Sequence, residues 1–567
     1  MATTSVASAI GSDSGVRAAP YGWVAIVLIA LLLIYRLLFG LSSEFFFEDE
    51  TQIFLIGLRY YATGGWPFFG PDVVWTKSEI PGALQGLLVG LPLKALPIPE
   101  APFILLNLLS GVALAALAWY ICKRLPSVPR WLIWGWLFTV PWTLQYSTHI
   151  INPSYILPAA IVFFLGFFES IPAVRLGVMR PVFPFALMGA GLLWVMQIHM
   201  SWPLLAPYVA YAFFANRRDG MGRLASYGLA LIAGAAVPGL ALVPTLLSFG
   251  AQSGSGGVLR SLQISPVNPL VLVTTLARFF SFASLEIARF IATDSAKRLE
   301  FFVRHPLLLP LAALVWAAGI VQPLWMLVEW WRRRGSGAAW DHLRYIVAAS
   351  MVVVYASYWF VIEPPQAHAF YVLAPMSWLF AAWCWSFIDS PRARKVAALV
   401  LGVNILFHGG LAWARVPERS LYKNRGPAAA AIRLKEPEIL GHRRPFAVEG
   451  GPSTLQDPTR PYDATRDIEI VARSFRIGMA GSLNWSVVLR NANPRVAFRD
   501  VLYIASYTDG QGQAIDERHE FIKDILQPGE TRAFELNDKF MRVPVASADI
   551  RIAAAEALLP CPPTDCR

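Results

Sequence analysis

The chain has 567 residues, 56% of them hydrophobic and only 15% charged, a composition that excludes a soluble cytosolic enzyme. Its 21 Trp, 35 Phe and 18 Tyr are the aromatic load of membrane interfaces. The net charge of +11 does not signal nucleic acid, because residues 416–567 hold 21 Lys/Arg against 20 Asp/Glu, while residues 1–415 hold 27 against 17, where loop orientation accounts for the excess.

In chain order, a cytoplasmic tail of residues 1–20 precedes an apolar run from Tyr21 to Leu41, interrupted only by Arg36 and long enough to cross the hydrocarbon core. It lacks the basic start and small-residue cleavage site of a signal peptide, so a retained helix is expected. Further runs near 101–121, 131–147, 154–171, 181–199, 202–216, 225–248, 306–330, 344–362, 369–388 and 396–414 bring the expectation to eleven transmembrane helices within residues 21–415. Pro81 to Leu96, broken by Pro92 and Lys94, is expected to lie along the outer surface. Lys and Arg concentrate in the connections 122–130, 172–180, 216–223, 331–343 and 389–395, while 148–153, 200–201 and 363–368 carry none. The positive-inside rule then puts the N-terminus in the cytoplasm of a multi-pass protein of the cytoplasmic (inner) membrane, with the C-terminus outside. Two long external loops result, 42–100 and 249–305. The second opens on the Gly/Ser-rich stretch Gly250 to Gly257, turns amphipathic over 270–303, and reads as a mobile flap.

Beyond Arg415 a Pro- and charge-rich connector (416–469) leads to short alternating runs, Trp485 to Leu489, Val501 to Tyr507 and Ile550 to Ile552. Turn signals at Asn493-Pro494, Asp509-Gly510 and Pro528-Gly529 separate them, which predicts an extracytoplasmic β-sandwich over 470–567. Cys561 and Cys566 would share that oxidising compartment and suit a small-loop disulfide, whereas Cys122 and Cys384 lie at or in helices and are expected to be inert. No Cys spacing of the metal-binding kind occurs.

The most unusual stretch follows the first span: Glu44, Glu48, Asp49 and Glu50, leading into a surface helix over Thr51 to Tyr61. Crowded carboxylates beside a bilayer repel one another, which raises the proton affinity of one of them and suits it to deprotonating a hydroxyl. The same residues also suit a helix start, which the macrodipole favours. The segment continues through Tyr60, Tyr61 and Trp66-Pro67 to Trp75, Lys77 and Glu79 before the Pro-containing helix.

This order of acids, helix, Gly/Trp and Lys just after the first span resembles the polyprenyl-phosphate-sugar-dependent glycosyltransferases of the C-type superfamily, above all the protein mannosyltransferase and lipid A aminoarabinose transferase family. Asp49-Glu50-Thr51 matches that family's Asp-Glu-Thr motif, and Lys77 matches its lysine about thirty residues on. The likeness of helix order extends over 20–415 and includes the Pro-rich stretch from Glu363 through His368 to Tyr371. The resemblance implies a helical polytopic fold and an inverting enzyme that moves a hexosyl or pentosyl unit from a polyprenyl-phosphate carrier to an extracytoplasmic glycan, lipid or protein, embedded among membrane lipids. Asp49 would be the general base, Glu50 a supporting carboxylate and Lys77 the ligand of the departing lipid phosphate. Arg260, Arg278 and Arg289 on the second loop are candidates for further phosphate contacts, with surface solvation the alternative.

One departure concerns metal. Relatives place a second acid in the next external loop, where this chain has Asn152, an amide that hydrogen-bonds sugar hydroxyls but is no base. A divalent metal therefore stays an open expectation, with His149, His199 and His368 as polar groups at the outer helix mouths. Tyr60, Tyr61 and Trp75, with Trp66, Tyr146 and Trp202, are expected to stack on sugar or line a groove, where belt anchoring is the competing role. Two other classes compete with the transferase: a transporter or lipid flippase, which calls for ionisable groups at the bilayer midplane, and a non-catalytic envelope assembly protein.

Overall fold

A computed structural model describes residues 22–42, 47–73, 78–250, 269–292, 295–358, 366–416, 425–435, 446–452, 462–477, 483–522, 524–538 and 545–560. The chain divides into two units, residues 1–437 and 438–567.

In the first unit every one of the eleven apolar runs is helical over its described residues, in one piece or two. The helices are α1 (Gly22–Ser42), α2 (Phe47–Thr63), α3 (Leu84–Ala95), α4 (Ala101–Arg124), α5 (Arg130–Thr139), α6 (Pro141–Ser147), α7 (Ile156–Ser170), α8 (Phe183–Met196), α9 (Ala206–Ala215), α10 (Met221–Gly239), α11 (Val243–Phe249), α12 (Pro269–Ser281), α13 (Ile287–Ile291), α14 (Ser295–Arg304), α15 (Leu308–Arg332), α16 (Ala338–Ser357), α17 (Ala374–Ser386) and α18 (Pro391–Arg415). Among the described residues six helical stretches are long and apolar enough to cross a membrane: α4, Asn152–Ser170, α10, α15, Ala367–Ser386 and α18. The expected run 131–147 is not one helix. Val140 takes φ −60° and ψ 149°, the extended conformation that the following Pro141 imposes, and separates α5 from α6.

Asn152–Ser170 and Ala367–Ser386 are enclosed by other helices, whereas α10, α15 and α18 turn leucines, valines and tryptophans outward. In water such a surface would aggregate; against lipid it costs nothing, and the helical unit is read as membrane-spanning. Helices α8 and α10 meet through glycines. A Cβ on Gly234 would fall on the carbonyl of Ala186, and one on Gly189 on that of Leu231. Gly234→Ala is accordingly expected to cost about 1–3 kcal/mol of stability through overpacking, read as a lower thermal midpoint in detergent; an unchanged midpoint would contradict this close approach.

Over its described residues the segment 42–100 folds as α2, an antiparallel pair of β1 (Phe69–Val73) and β2 (Ser78–Pro81), and α3, which packs along α2. Of the segment 249–305, expected to be a mobile flap, residues 251–268 and 293–294 lie outside the described residues. In its amphipathic part Phe279, Phe282, Ala283, Ile287 and Phe290 are buried, and Phe282 accepts a backbone hydrogen bond from Trp142 at 3.0 Å.

The second unit holds two antiparallel sheets. Strands β3 (Phe446–Pro452), β9 (Ser547–Pro560), β6 (Ala497–Thr508) and β7 (Ala514–Ile522) form one in that order, and β4 (Ile468–Ile477), β5 (Leu483–Asn491) and β8 (Thr531–Asp538) the other. Alternating side chains of β5 and β6 supply the core, where Trp485 Nε1 donates to the Tyr507 hydroxyl at 2.9 Å. The expected runs lie in β5, β6 and β9, and the expected turn signals lie between strands. The sheet starts earlier than residue 470, because β3 comes from what reads in the sequence as connector. Cys561 and Cys566 lie outside the described residues; Cys384 is buried and Cys122 half-buried, both as free thiols.

Asp467 ties the start of β4 to the turn after β5: its carboxylate accepts from Arg466 Nε at 2.7 Å, Asn493 Nδ2 at 2.7 Å and the Asp463 amide at 3.0 Å. Burial works to raise its pKa, and these hydrogen bonds outweigh burial and hold it below the usual aspartate range. A depressed folded-state pKa means stabilisation that is complete above the unfolded value near ~3.9 and is lost as pH falls through the folded value. In the full chain, hydrogen exchange at the 491–496 turn is expected to accelerate on acidification below that value, and to do so less in Asp467→Asn. Equal acid response in the two proteins would refute the role.

Candidate functional site

Three of the central helices begin with tight 3-10 turns, Asn152–Tyr155 before α7, Trp202–Leu205 before α9 and Ala367–Leu373 before α17. Pro153, Pro203 and Pro375 explain why each starts irregularly, since proline fits only the opening turn of a helix. The Ala367–Leu373 turn packs against both others, so side chains from three separate loops converge.

On one side of this convergence stands the acidic start of α2. Asp49 lies in its first turn, and Glu50 is buried, within electrostatic reach of the Tyr155 hydroxyl. From α3, Gln85 Nε2 donates to Asn152 Oδ1 at 3.2 Å. The turn ahead of α3 is held close by Gly82, whose φ of +119° is open to glycine alone and where a Cβ would strike Gln197. On the other side Glu286 accepts from the Tyr146 hydroxyl at 3.2 Å and the Ala367 amide at 3.1 Å, and pairs with Arg278 at 3.2 Å. Arg289 donates to Gln366. His368 lies within electrostatic reach of His199, Arg289 and Arg278. His199 Nδ1 is taken by Ser201 Oγ at 2.9 Å.

Buried polar atoms in this region without a hydrogen-bond partner among the described residues include Gln85 Oε1, Tyr155 Oη, Gln197 Oε1 and His368 Nδ1. Each such atom costs about 1–3 kcal/mol unless something polar meets it. Similar atoms occur elsewhere in the helical unit, Arg36 Nε and Asn107 Oδ1 among them; what marks this region is a buried carboxylate and two arginines near them.

Of the residues that the sequence singles out, the fold gathers Glu50, Asn152, His199, His368 and Arg278 around these turns, with the backbone of Asp49 beside them. Tyr60 and Tyr61 lie elsewhere. Ten residues along α2 separate Tyr60 from Glu50, about 15 Å of helix, and Tyr60 packs on Trp66 and beneath Lys94, whose Nζ is 3.8 Å from the ring centre. His149 is interior, its Nδ1 3.1 Å from Gln145 O and its ring edge-on to Phe39. Trp75, Lys77 and Arg260 fall outside the described residues, the first two between β1 and β2. Among the described residues no group of three or more His, Cys, Asp or Glu is placed to hold a metal.

Sequence reasoning passed over Gln85, Tyr155 and Glu286. For Glu286 a signal existed: a lone acid between the mostly apolar stretches Phe279 to Ala283 and Ile287 to Ile291 is expensive to bury unless paired, and Arg278 stands a few residues upstream.

No protein-family model matches the chain, and no curated protein does. Among solved structures the chain is similar to the arabinosyltransferase EmbB from Mycobacterium smegmatis, at 11% identity and a TM-score of 0.39. The match covers 97% of this chain and 66% of that one, so the chain spans just under two thirds of EmbB.

Proposed function

We propose that the chain is an integral membrane glycosyltransferase that moves a sugar from a polyprenyl-phosphate carrier to a hydroxyl-bearing extracytoplasmic acceptor. The observation that carries this reading is the gathering of unsatisfied buried polar atoms between the acidic start of α2 and the Arg278–Glu286 pair. Displacement at an anomeric carbon needs a base on one face and cationic stabilisation of phosphate on the other. In the proposed reaction Asp49 takes the acceptor's proton, the acceptor oxygen forms its bond to the anomeric carbon as the carbon–oxygen bond to phosphate breaks, and the electron pair leaves with the phosphate. The configuration inverts. Lys77 meets the leaving phosphate, Arg278 and Arg289 add positive charge for it, and Asn152, Gln85, His199 and His368 hold sugar hydroxyls.

The test uses the purified full chain in nanodiscs with polyprenyl-phosphate hexoses and pentoses, and mass spectrometry of the lipid. Cleavage of one donor to free polyprenyl phosphate, dependent on an added acceptor, is the expected result. Vectorial movement of a labelled lipid or solute with no donor cleavage would overturn it in favour of transport. Inertness towards every donor, with or without acceptor extracts, would leave the assembly role in its place.

A further inference from the structure

Away from the acidic turn, α5, α15, α17 and α18 enclose an apolar cleft of about 540 Å³. No charged side chain lines it; the polar ones are Ser284, Gln322, Asn404 and three tryptophans. One end reaches Phe282 and Ser284, the other Val128, Ile388 and Ala393. Along α18 the lining runs from Ala393 to Asn404, about 16 Å of helix, which is one leaflet of a ~30 Å hydrocarbon core. Its rim is open sideways, since Leu314, Val321, Val396 and Leu399 are exposed.

The Val128–Ala393 end is basic. Arg130 opens α5, and Arg392, Arg394 and Lys395 stand exposed in the first turns of α18. Arg333 lies over the Phe387 ring at 5.0 Å. Asp389 faces Arg394 at 3.2 Å and Glu329 faces Arg333 at 3.1 Å, so the cations remain in excess. The N-terminus of the 25-residue helix α18 adds its positive dipole end at the same place. Trp325 and Trp385, in contact at 5.4 Å between ring centres, line the same cleft. An apolar slot one leaflet deep with cations at its mouth fits an apolar chain below an anionic headgroup, and cations on the side of the inner leaflet favour a phospholipid there.

We propose that this cleft seats an acyl chain of an anionic diacyl phospholipid, with the headgroup phosphate held at the Arg130, Arg392 and Lys395 end. By the positive-inside orientation this is a lipid of the inner leaflet, on the opposite side of the membrane from the proposed sugar chemistry. The inference stands apart from the transferase reading, because lipid retention is measured without any sugar.

The test is native mass spectrometry of the full chain in mild detergent, titrated with phosphatidylglycerol or with phosphatidylcholine of the same chains. At least tenfold preferential retention of phosphatidylglycerol is expected. Ala318→Trp, which fills the cleft, should abolish that retention, and the combined Arg392→Gln, Arg394→Gln and Lys395→Gln variant should bring it to the phosphatidylcholine level. Equal retention of both lipids by the unaltered chain, undiminished phosphatidylglycerol binding in Ala318→Trp, or preferential retention of a polyprenyl phosphate would each overturn the proposal. Should Ala318→Trp not fold, a photoreactive acyl chain on phosphatidylglycerol decides the matter in the unaltered protein. Cross-links on α15 and α18 peptides support the proposal, and cross-links confined to other lipid-facing helices overturn it.

Discussion

Asp49→Asn is expected to reduce sugar transfer by roughly 10²–10⁴-fold, the range that a positioned general base contributes, without loss of folding or membrane insertion. An amide at this position keeps the shape and removes the proton acceptor. Glu50→Gln should behave differently. Glu50 is buried beside Tyr155 and is proposed as a supporting carboxylate, so its neutralisation is expected to lower turnover less than the Asp49 change and to raise the acceptor KM. Steady-state rates for both variants, with donor binding measured separately, check the division of labour. Unaltered turnover in Asp49→Asn would end the proposed role of that residue, and a larger loss in Glu50→Gln would transfer the base function to its neighbour.

The second large effect is structural. Arg36→Met is expected to cost on the order of 4 kcal/mol, because several buried acceptors lose a charged donor together. The guanidinium of Arg36 is wholly buried and donates to Phe138 O at 3.0 Å, Thr143 O at 3.3 Å and Ser147 Oγ at 2.8 Å. These oxygens lie on both sides of the Val140–Pro141 break, where two of the carbonyls sit near the end of one helix and the start of the next. Arg36 therefore ties α1 to α5 and α6, and through them to the turn that carries Asn152. Thermal midpoints in nanodiscs and the monodisperse fraction after extraction measure the effect. Arg36→Lys, with its single ammonium, should recover only part of the loss, and full stability in Arg36→Met would show that the broken segment finds other donors.

Helix existence was legible because hydropathy alone dictates it: every apolar run is helical, and the alternation of β5 and β6 announced the sandwich. Interruptions were less legible. The run 131–147 looks continuous by hydropathy, and only Pro141 betrays its break. Within the site, the acidic start of α2 was visible as a local cluster, whereas Gln85, Gln197 and Glu286 gain meaning only from partners far along the chain, such as Asn152, Pro238 and Ala367. His149 is a different case: a histidine at the edge of a span looks like a mouth residue, and its ring lies interior, edge-on to Phe39. Tyr60 and Tyr61 were grouped with the acids by sequence nearness, which a straight helix converts into distance.

The pairing of Arg36 with the 138–147 segment also bears on biogenesis. During synthesis α1 enters the bilayer about a hundred residues before the oxygens that will receive its guanidinium have been made. Until then the nascent helix carries an unmet cation, an expense of about 2.5–3.5 kcal/mol at a helix centre on insertion scales. The apolar residues of α1 offset that expense on the same scale, so the helix inserts alone, and the strain of its cation is relieved only once α5 and α6 have emerged.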